Sequence, residues 1–206
     1  MSNMTRRELF ASAIAPGAGK PAKLNGETVS GRELLRVRYF PNVTLTTHLG
    51  KKVKFYDDLI KDKILVINVM YATCEWFCPI ITSKLVEVRK LLGSRVGKDI
   101  FFYSITVKPE EDSPRKLKEY VEMHNARGPG WFFLTGKPRD VELLRQKLGF
   151  VDGNPLVDKE DKTRHSGLLR YGNEPLAQWS SCQSGAKASW IAKSILFVDW
   201  PDKKQS

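Results

Sequence analysis

The residues Ile64-Leu65-Val66-Ile67-Asn68-Val69-Met70 form an almost unbroken apolar, β-branched run. A strand with one wet face alternates apolar and polar residues. A continuous run needs cover on both faces, so it predicts a central strand in a sheet flanked by helices. Downstream, Ile80, Ile81, Leu85, Val88, Leu91 and Leu92 recur at helical spacing up to Gly93, and Pro79 suits a first helical position because its missing N–H loses no bond there. The alternation then repeats. Ile100 to Val107 reads as a strand, Ser113-Pro114 opens a helix carrying Leu117, Tyr120, Val121 and His124, and Trp131 to Leu134 is a third strand. Pro138 to Leu148 is a third helix, closed by Gly149.

The flanks complete the pattern. Val43 to Thr47 and Val53 to Phe55 read as a hairpin around His48-Leu49-Gly50-Lys51, with one helical turn over Tyr56 to Ile60. After a polar stretch from Val151 to Lys162, Ser166 to Tyr171 and Pro175 to Trp179 read as a second hairpin around Gly172-Asn173, followed by a helix over about Ala186 to Phe197. Alternating strands and helices imply an α/β fold: a three-layer α/β/α sandwich with a central mixed sheet, an N-terminal β-hairpin extension and an antiparallel closing edge. A chain of 206 residues fits one domain over 36–200, with a leader over 1–35 and a charged tail over 201–206.

A net charge of +11 raises nucleic acid as a partner, but the 34 lysines and arginines are scattered among 23 acids in no long basic block. A solvated basic surface or an acidic protein partner fits better, so no nucleic acid is expected. No stretch approaches the roughly 18 apolar residues that span a bilayer, so no transmembrane segment is expected. Thr5-Arg6-Arg7-Glu8-Leu9-Phe10 resembles a twin-arginine export signature, and Ala13-Ile14-Ala15 could be a cleavage site. The expectation is export to the periplasm or cell envelope, against a cytoplasmic alternative with an ordinary tail.

Chemistry concentrates in Tyr71-Ala72-Thr73-Cys74-Glu75-Trp76-Phe77-Cys78-Pro79, between the apolar strand and the helix after it. Ligands collect beyond the carboxyl ends of such strands, and thiols near a helix N-terminus are favoured as thiolates. Thiolates attack disulfides and grip soft metals. The C-x-x-x-C spacing is one residue longer than the redox C-x-x-C and leaves both chemistries open. Two sulfurs leave copper undercoordinated, and an imidazole as third ligand would let the site hold Cu(I) or Cu(II). Of the three histidines, His48 falls in the first turn as a solvated residue and His124 sits near a helix C-terminus where a cation suits the dipole. His165 opens the strand that should return beside the thiol-bearing one. Asp158 and Asp161, in the loop before it, are candidates to orient its ring. Cys182 has no obvious mate, and reads as a spectator or a resolving thiol.

These segments together resemble the SCO/SenC family of thioredoxin-fold proteins. The residues that carry the resemblance are Phe55 to Ile60, Cys74 to Pro79, Ser104 to Glu110, Gly130-Trp131-Phe132-Phe133-Leu134-Thr135-Gly136 and His165-Ser166. The resemblance implies copper bound by Cys74, Cys78 and His165. It also implies a partner, the cytochrome c oxidase subunit carrying the dinuclear copper site, to which copper is delivered or whose cysteines are reduced beforehand; other copper carriers or thiol reductants are further partners. Two departures stand out. Lys108 replaces the aspartate usual in the family, and the bulky Glu75-Trp76-Phe77 separate the cysteines, either shielding the site and meeting a partner or packing on the core. The rival reading is an enzyme, a thiol–disulfide oxidoreductase whose catalytic residues are Cys74 and Cys78.

Overall fold

The computed structural model describes residues 23–24, 27–161 and 167–199. A two-stranded ribbon, β1 (Lys23–Leu24) and β2 (Glu27–Thr28), precedes a helix, α1 (Gly31–Tyr39). The main sheet has seven strands: β3 (Thr44–Thr47), β4 (Lys52–Lys54), β5 (Ile64–Met70), β6 (Ile100–Thr106), β7 (Trp131–Gly136), β8 (Leu168–Asn173) and β9 (Gln178–Gln183), in the order β4-β3-β7-β6-β5-β8-β9. The pairs β5–β6 and β6–β7 are parallel and the others antiparallel, giving the expected mixed sheet with a hairpin at each end.

All seven residues of β5 are buried, as the apolar run requires. Ile64, Val66 and Met70 face one layer, with α2 (Phe77–Leu92), α3 (Pro114–Met123) and α6 (Ala188–Phe197). Leu65, Ile67 and Val69 face the other, with α4 (Pro138–Lys147) and the π-helical turn Phe55–Ile60, which closes through Lys61 N–H to the Tyr56 carbonyl at 2.9 Å. Among the polar residues within this core, Asn68 accepts from the Ser104 hydroxyl (2.8 Å), which in turn accepts from the Trp131 indole (3.0 Å), tying β5, β6 and β7 together. A short helix, α5 (Pro155–Glu160), interrupts the polar stretch before β8.

Three local expectations are corrected. First, α1 was not anticipated; it begins within the segment expected as a leader. None of its residues is fully buried, and it is held instead by Arg32, which donates to both carboxylate oxygens of buried Glu174 at 2.7 and 2.5 Å. Second, the closing hairpin turns at Glu174–Ala177 and not at Gly172-Asn173, which lie inside β8. Glu174 is drawn inward by Arg32 and the Tyr56 hydroxyl (2.8 Å), while Ala177 takes the positive φ of 53° that the turn needs. Gly172 is in β8 because the Trp179 ring lies against it: an added Cβ would fall 2.3 Å from that ring. Third, α2 starts at Phe77, two residues ahead of Pro79, and α6 starts at Ala188.

Candidate metal and thiol centre

β5 delivers the chain to the carboxyl edge of the parallel strands, and Tyr71 to Trp76 bridge to α2. Because α2 begins at Phe77, Cys78 lies in its first turn while Cys74 remains in the loop. Trp76 occupies the cap position but provides no side-chain cap. The Cys74 sulfur does so instead: it accepts from the Cys78 backbone N–H at 3.3 Å, satisfying one of the donors that a helix start leaves unpaired. Both thiols are unbridged and buried, with Cys78 at 2% exposure.

This geometry splits the pair electrostatically. Burial pushes the Cys74 thiol up, but hydrogen bonds from the Cys78 thiol, the Cys78 and Trp76 backbone N–H groups and the Tyr71 side chain outweigh it, leaving Cys74 below its ordinary value. Burial, then its role as donor to Cys74, pushes Cys78 up to about 12. The negative charge therefore belongs on Cys74 and the proton on Cys78.

Below the loop lies a residue that sequence reasoning missed. Asp112 is fully buried; its Oδ2 accepts from the Ala72 N–H at 3.0 Å and from the Thr106 hydroxyl, so it pins the cysteine loop to the end of β6. Its Oδ1 is buried with no hydrogen-bond partner among the described residues. In the sequence Asp112 precedes Ser113-Pro114 and reads as part of a helix start; Ser113 does cap α3, accepting from Lys116 N–H at 3.3 Å. Nothing local marks Asp112 as an inward-facing carboxylate. Tyr120, bonded to the Thr82 hydroxyl at 2.9 Å, joins the same layer.

The other candidates are placed as follows. Trp76 and Phe77 are 76% and 74% exposed, so neither packs on the core. Lys108 stands 4.9 Å from the centre of the Tyr71 ring and pairs with Glu111 at 3.4 Å, so the departure from the family pattern puts a cation beside the residue that bonds Cys74. His48 is not a solvated turn residue: it is buried, its Nδ1 accepts from Phe133 N–H at 3.2 Å, and burial lowers its pKa. His124 caps α3 with its ring 4.2 Å from that of Tyr120, and burial disfavours the cation expected there. Cys182 lies in β9 within the core that holds Cys74 and Cys78, and burial pushes its thiol to about 11. Both carboxylate oxygens of Asp158 accept from Arg145 at 2.6 Å, so it fastens α5 to α4. His165, like the twin-arginine residues, lies outside the described residues. Among the described residues no group of three or more His, Cys, Asp or Glu is gathered as a metal site, and no helix is long and apolar enough to cross a membrane.

Comparison with known proteins matches residues 36–169, more than half of the chain, to the SCO1/SenC family model. A SCO1 homologue of Bacillus subtilis is 29% identical over 87 residues, 42% of this chain and 44% of that protein. The chain thus spans less than half the length of that relative. A Stutzerimonas stutzeri protein named for copper binding is 25% identical over 175 residues, 81% of each chain. Yeast Sco1, solved with copper bound, superposes with a TM-score of 0.60 at 20% identity, covering 79% of this chain and 92% of that one, a likeness of fold. The fold is thioredoxin-like.

Proposed function

This chain belongs to the SCO1/SenC family, and on that premise we propose that it binds copper through Cys74, Cys78 and His165 and passes it to the dinuclear copper site of cytochrome c oxidase. The observation that carries the reading is the sulfur pair: two unbridged thiols, one in the loop and one in the first helical turn, already bonded to each other through Cys78 N–H and Cys74 Sγ at 3.3 Å. Soft sulfur donors with an imidazole suit copper in either oxidation state. β8 runs antiparallel beside β5, so its beginning at Leu168 lies toward the end of β5 from which the cysteine loop departs. His165 precedes Leu168 by three residues, which favours it as the nitrogen donor. Copper is cargo here: an acceptor's thiolates would replace Cys74 and Cys78 one at a time, and the exposed Trp76 and Phe77 frame the approach. This work belongs in the cell envelope, reached through the N-terminal signature.

One observation favours a second reading, reduction of the oxidase cysteines. The unequal thiols suit an attacking Cys74 thiolate and a resolving Cys78. Cys74 would attack a partner disulfide, forming a mixed disulfide and releasing one partner thiolate. Cys78, after giving up its proton, would then attack the Cys74 sulfur, closing the Cys74–Cys78 disulfide and freeing the second partner thiol. A thiol reductant would restore the pair.

Titrating reduced protein with Cu(I) against a competing chelator, with and without His165→Ala, Cys74→Ser and Cys78→Ser, and assaying disulfide reductase turnover in parallel, separates the two. Tight copper that needs all three residues, with negligible turnover, is the expected result. Brisk turnover with copper affinity indifferent to His165→Ala would establish the oxidoreductase instead.

A further inference from the structure

The face of the sheet opposite the thiols carries a groove of about 590 Å³, bounded by α1, the end of α4 and the edge strand β9. Leu35 and Tyr39 from α1, Ile67 from β5 and Trp179 from β9 give it apolar walls, and Gln146, Ser180 and Ser181 add polar ones. Among the described residues its charged lining consists of Lys147 and Arg170, both cationic. The Arg170 guanidinium donates to the carbonyls of Leu148 and Gly149 at 3.1 and 3.2 Å and lies over the Phe150 ring at 6.0 Å, none of which brings a countercharge. Among the described residues neither Lys147 nor Arg170 forms an ion pair, whereas Arg32, Arg36, Arg95 and Arg145 all do.

The groove runs beside an unguarded strand. Among the described residues β9 pairs with β8 alone, so the outward backbone groups of Trp179 and Ser181 have no strand partner, while at the end of the strand the Gln183 carbonyl accepts from Ala186 N–H at 3.1 Å. Sheet edges are usually blunted by charge, proline or a bulge. At the opposite edge β4, Lys52-Val53-Lys54, follows that rule, its two lysines exposed. β9 does not: Gln178-Trp179-Ser180-Ser181-Cys182-Gln183 holds no charge and no proline, although the chain carries +11. An open edge with an adjoining pocket for alternate side chains is the arrangement that accepts an added strand, with backbone bonds supplying affinity and the pocket supplying selectivity.

We propose that this groove and edge capture an extended, acidic segment of a partner protein, which joins the sheet next to β9 and lays the alternate side chains of one face into the groove, apolar ones against Leu35, Tyr39 and Trp179 and carboxylates beside Lys147 and Arg170. The two uncompensated cations select a segment bearing carboxylates, and they disfavour a second copy of this chain, whose β9 brings none. The site is independent of the thiol chemistry, because the groove residues Phe40, Ile67 and Trp179 pack in the core layer on the other side of the sheet from Cys74 and Cys78.

The test uses the full chain and labelled peptides of repeating Thr-Val-Thr-Glu, in which valine and glutamate share the groove-facing side of the strand, followed by fluorescence anisotropy, with hydrogen exchange read on the amides of Gln178–Gln183. The glutamate peptide should bind at least about tenfold tighter than its counterpart with lysine in place of glutamate, and Lys147→Glu, at an exposed position, should weaken it about fivefold. Two further peptides, N-methylated on one or the other set of alternate amides, diagnose strand addition: one should lose binding and the other keep it, because only alternate amides face a neighbouring strand. Exchange should slow along β9 in the bound state. The proposal is overturned if no peptide binds, if the lysine peptide binds as well, if both methylated peptides behave alike, or if β9 is protected without peptide by self-association.

Discussion

The unequal thiols make a quantitative prediction about chemical modification. In reduced protein at pH 7.5, a pulse of iodoacetamide reads the thiolate population weighted by its nucleophilicity. A thiol at about 12, as for Cys78, is thiolate in only ~3 parts in 100,000, whereas one below 9.0, as for Cys74, exceeds ~3%. The population ratio is therefore at least ~1,000. Nucleophilicity falls with basicity at a slope of about 0.4–0.5, returning a factor of roughly 15–30 to Cys78 over those three units and leaving Cys74 at least about 30-fold faster. The burial of Cys78 widens the gap. Peptide mapping of the quenched reaction gives both rates in one sample. Alkylation of Cys74 should climb with pH up to its own pKa and then level, because only its thiolate reacts. If Cys78 is modified at a comparable rate, the assignment of the charge to Cys74 is wrong, and with it the claim that the sulfur serves as the helix cap.

Two other perturbations probe what holds the centre and the fold. Asp112→Ala strips the acceptor from Ala72 N–H and from the Thr106 hydroxyl, and should cost about 2 kcal/mol in urea unfolding while speeding Cys74 alkylation through a loosened loop; Asp112→Asn, which keeps an oxygen, should cost less. Glu174→Gln removes the anion that binds Arg32, Tyr56 and the Asp62 N–H, and should cost about 2 kcal/mol, below the range for a fully buried pair because Arg32 is 38% exposed. Burial pushes Glu174 up, but Arg32, the Asp62 N–H and Tyr56 together hold it below 4.5, so its stabilisation is present above that value and is lost as pH falls through the lower folded one. The difference in melting temperature between wild type and Glu174→Gln should accordingly shrink from pH 7 to pH 3; a gap that persists in acid would refute the ionic origin.

The order of strands and helices was legible because periodicity is a local property: a fully apolar run such as Ile64–Met70 has few ways to be buried, and the parallel strands follow from the helices between them. The junction that carries the two thiols was legible for the same reason, since Cys74 and Cys78 follow directly on the apolar strand and lead into a helix. Charge and burial at single residues were not. His48 looked like a turn residue and became a buried acceptor only once β7 came alongside. The second hairpin looked centred on Gly172-Asn173, but the pull of Arg32 and Tyr56 on Glu174, residues more than 100 positions away, sets the turn beyond them. Asp112, next to the helix start read at Ser113-Pro114, carried no local sign that its carboxylate holds the cysteine loop through Ala72 N–H. Local periodicity and residue type were enough to set the layers, the alternation of strands and helices and the place where the sulfurs emerge. Tertiary structure alone decided which sulfur carries the charge, because that depends on how many donors converge on Cys74 and how little water reaches Cys78, and both are properties of contacts made across the fold.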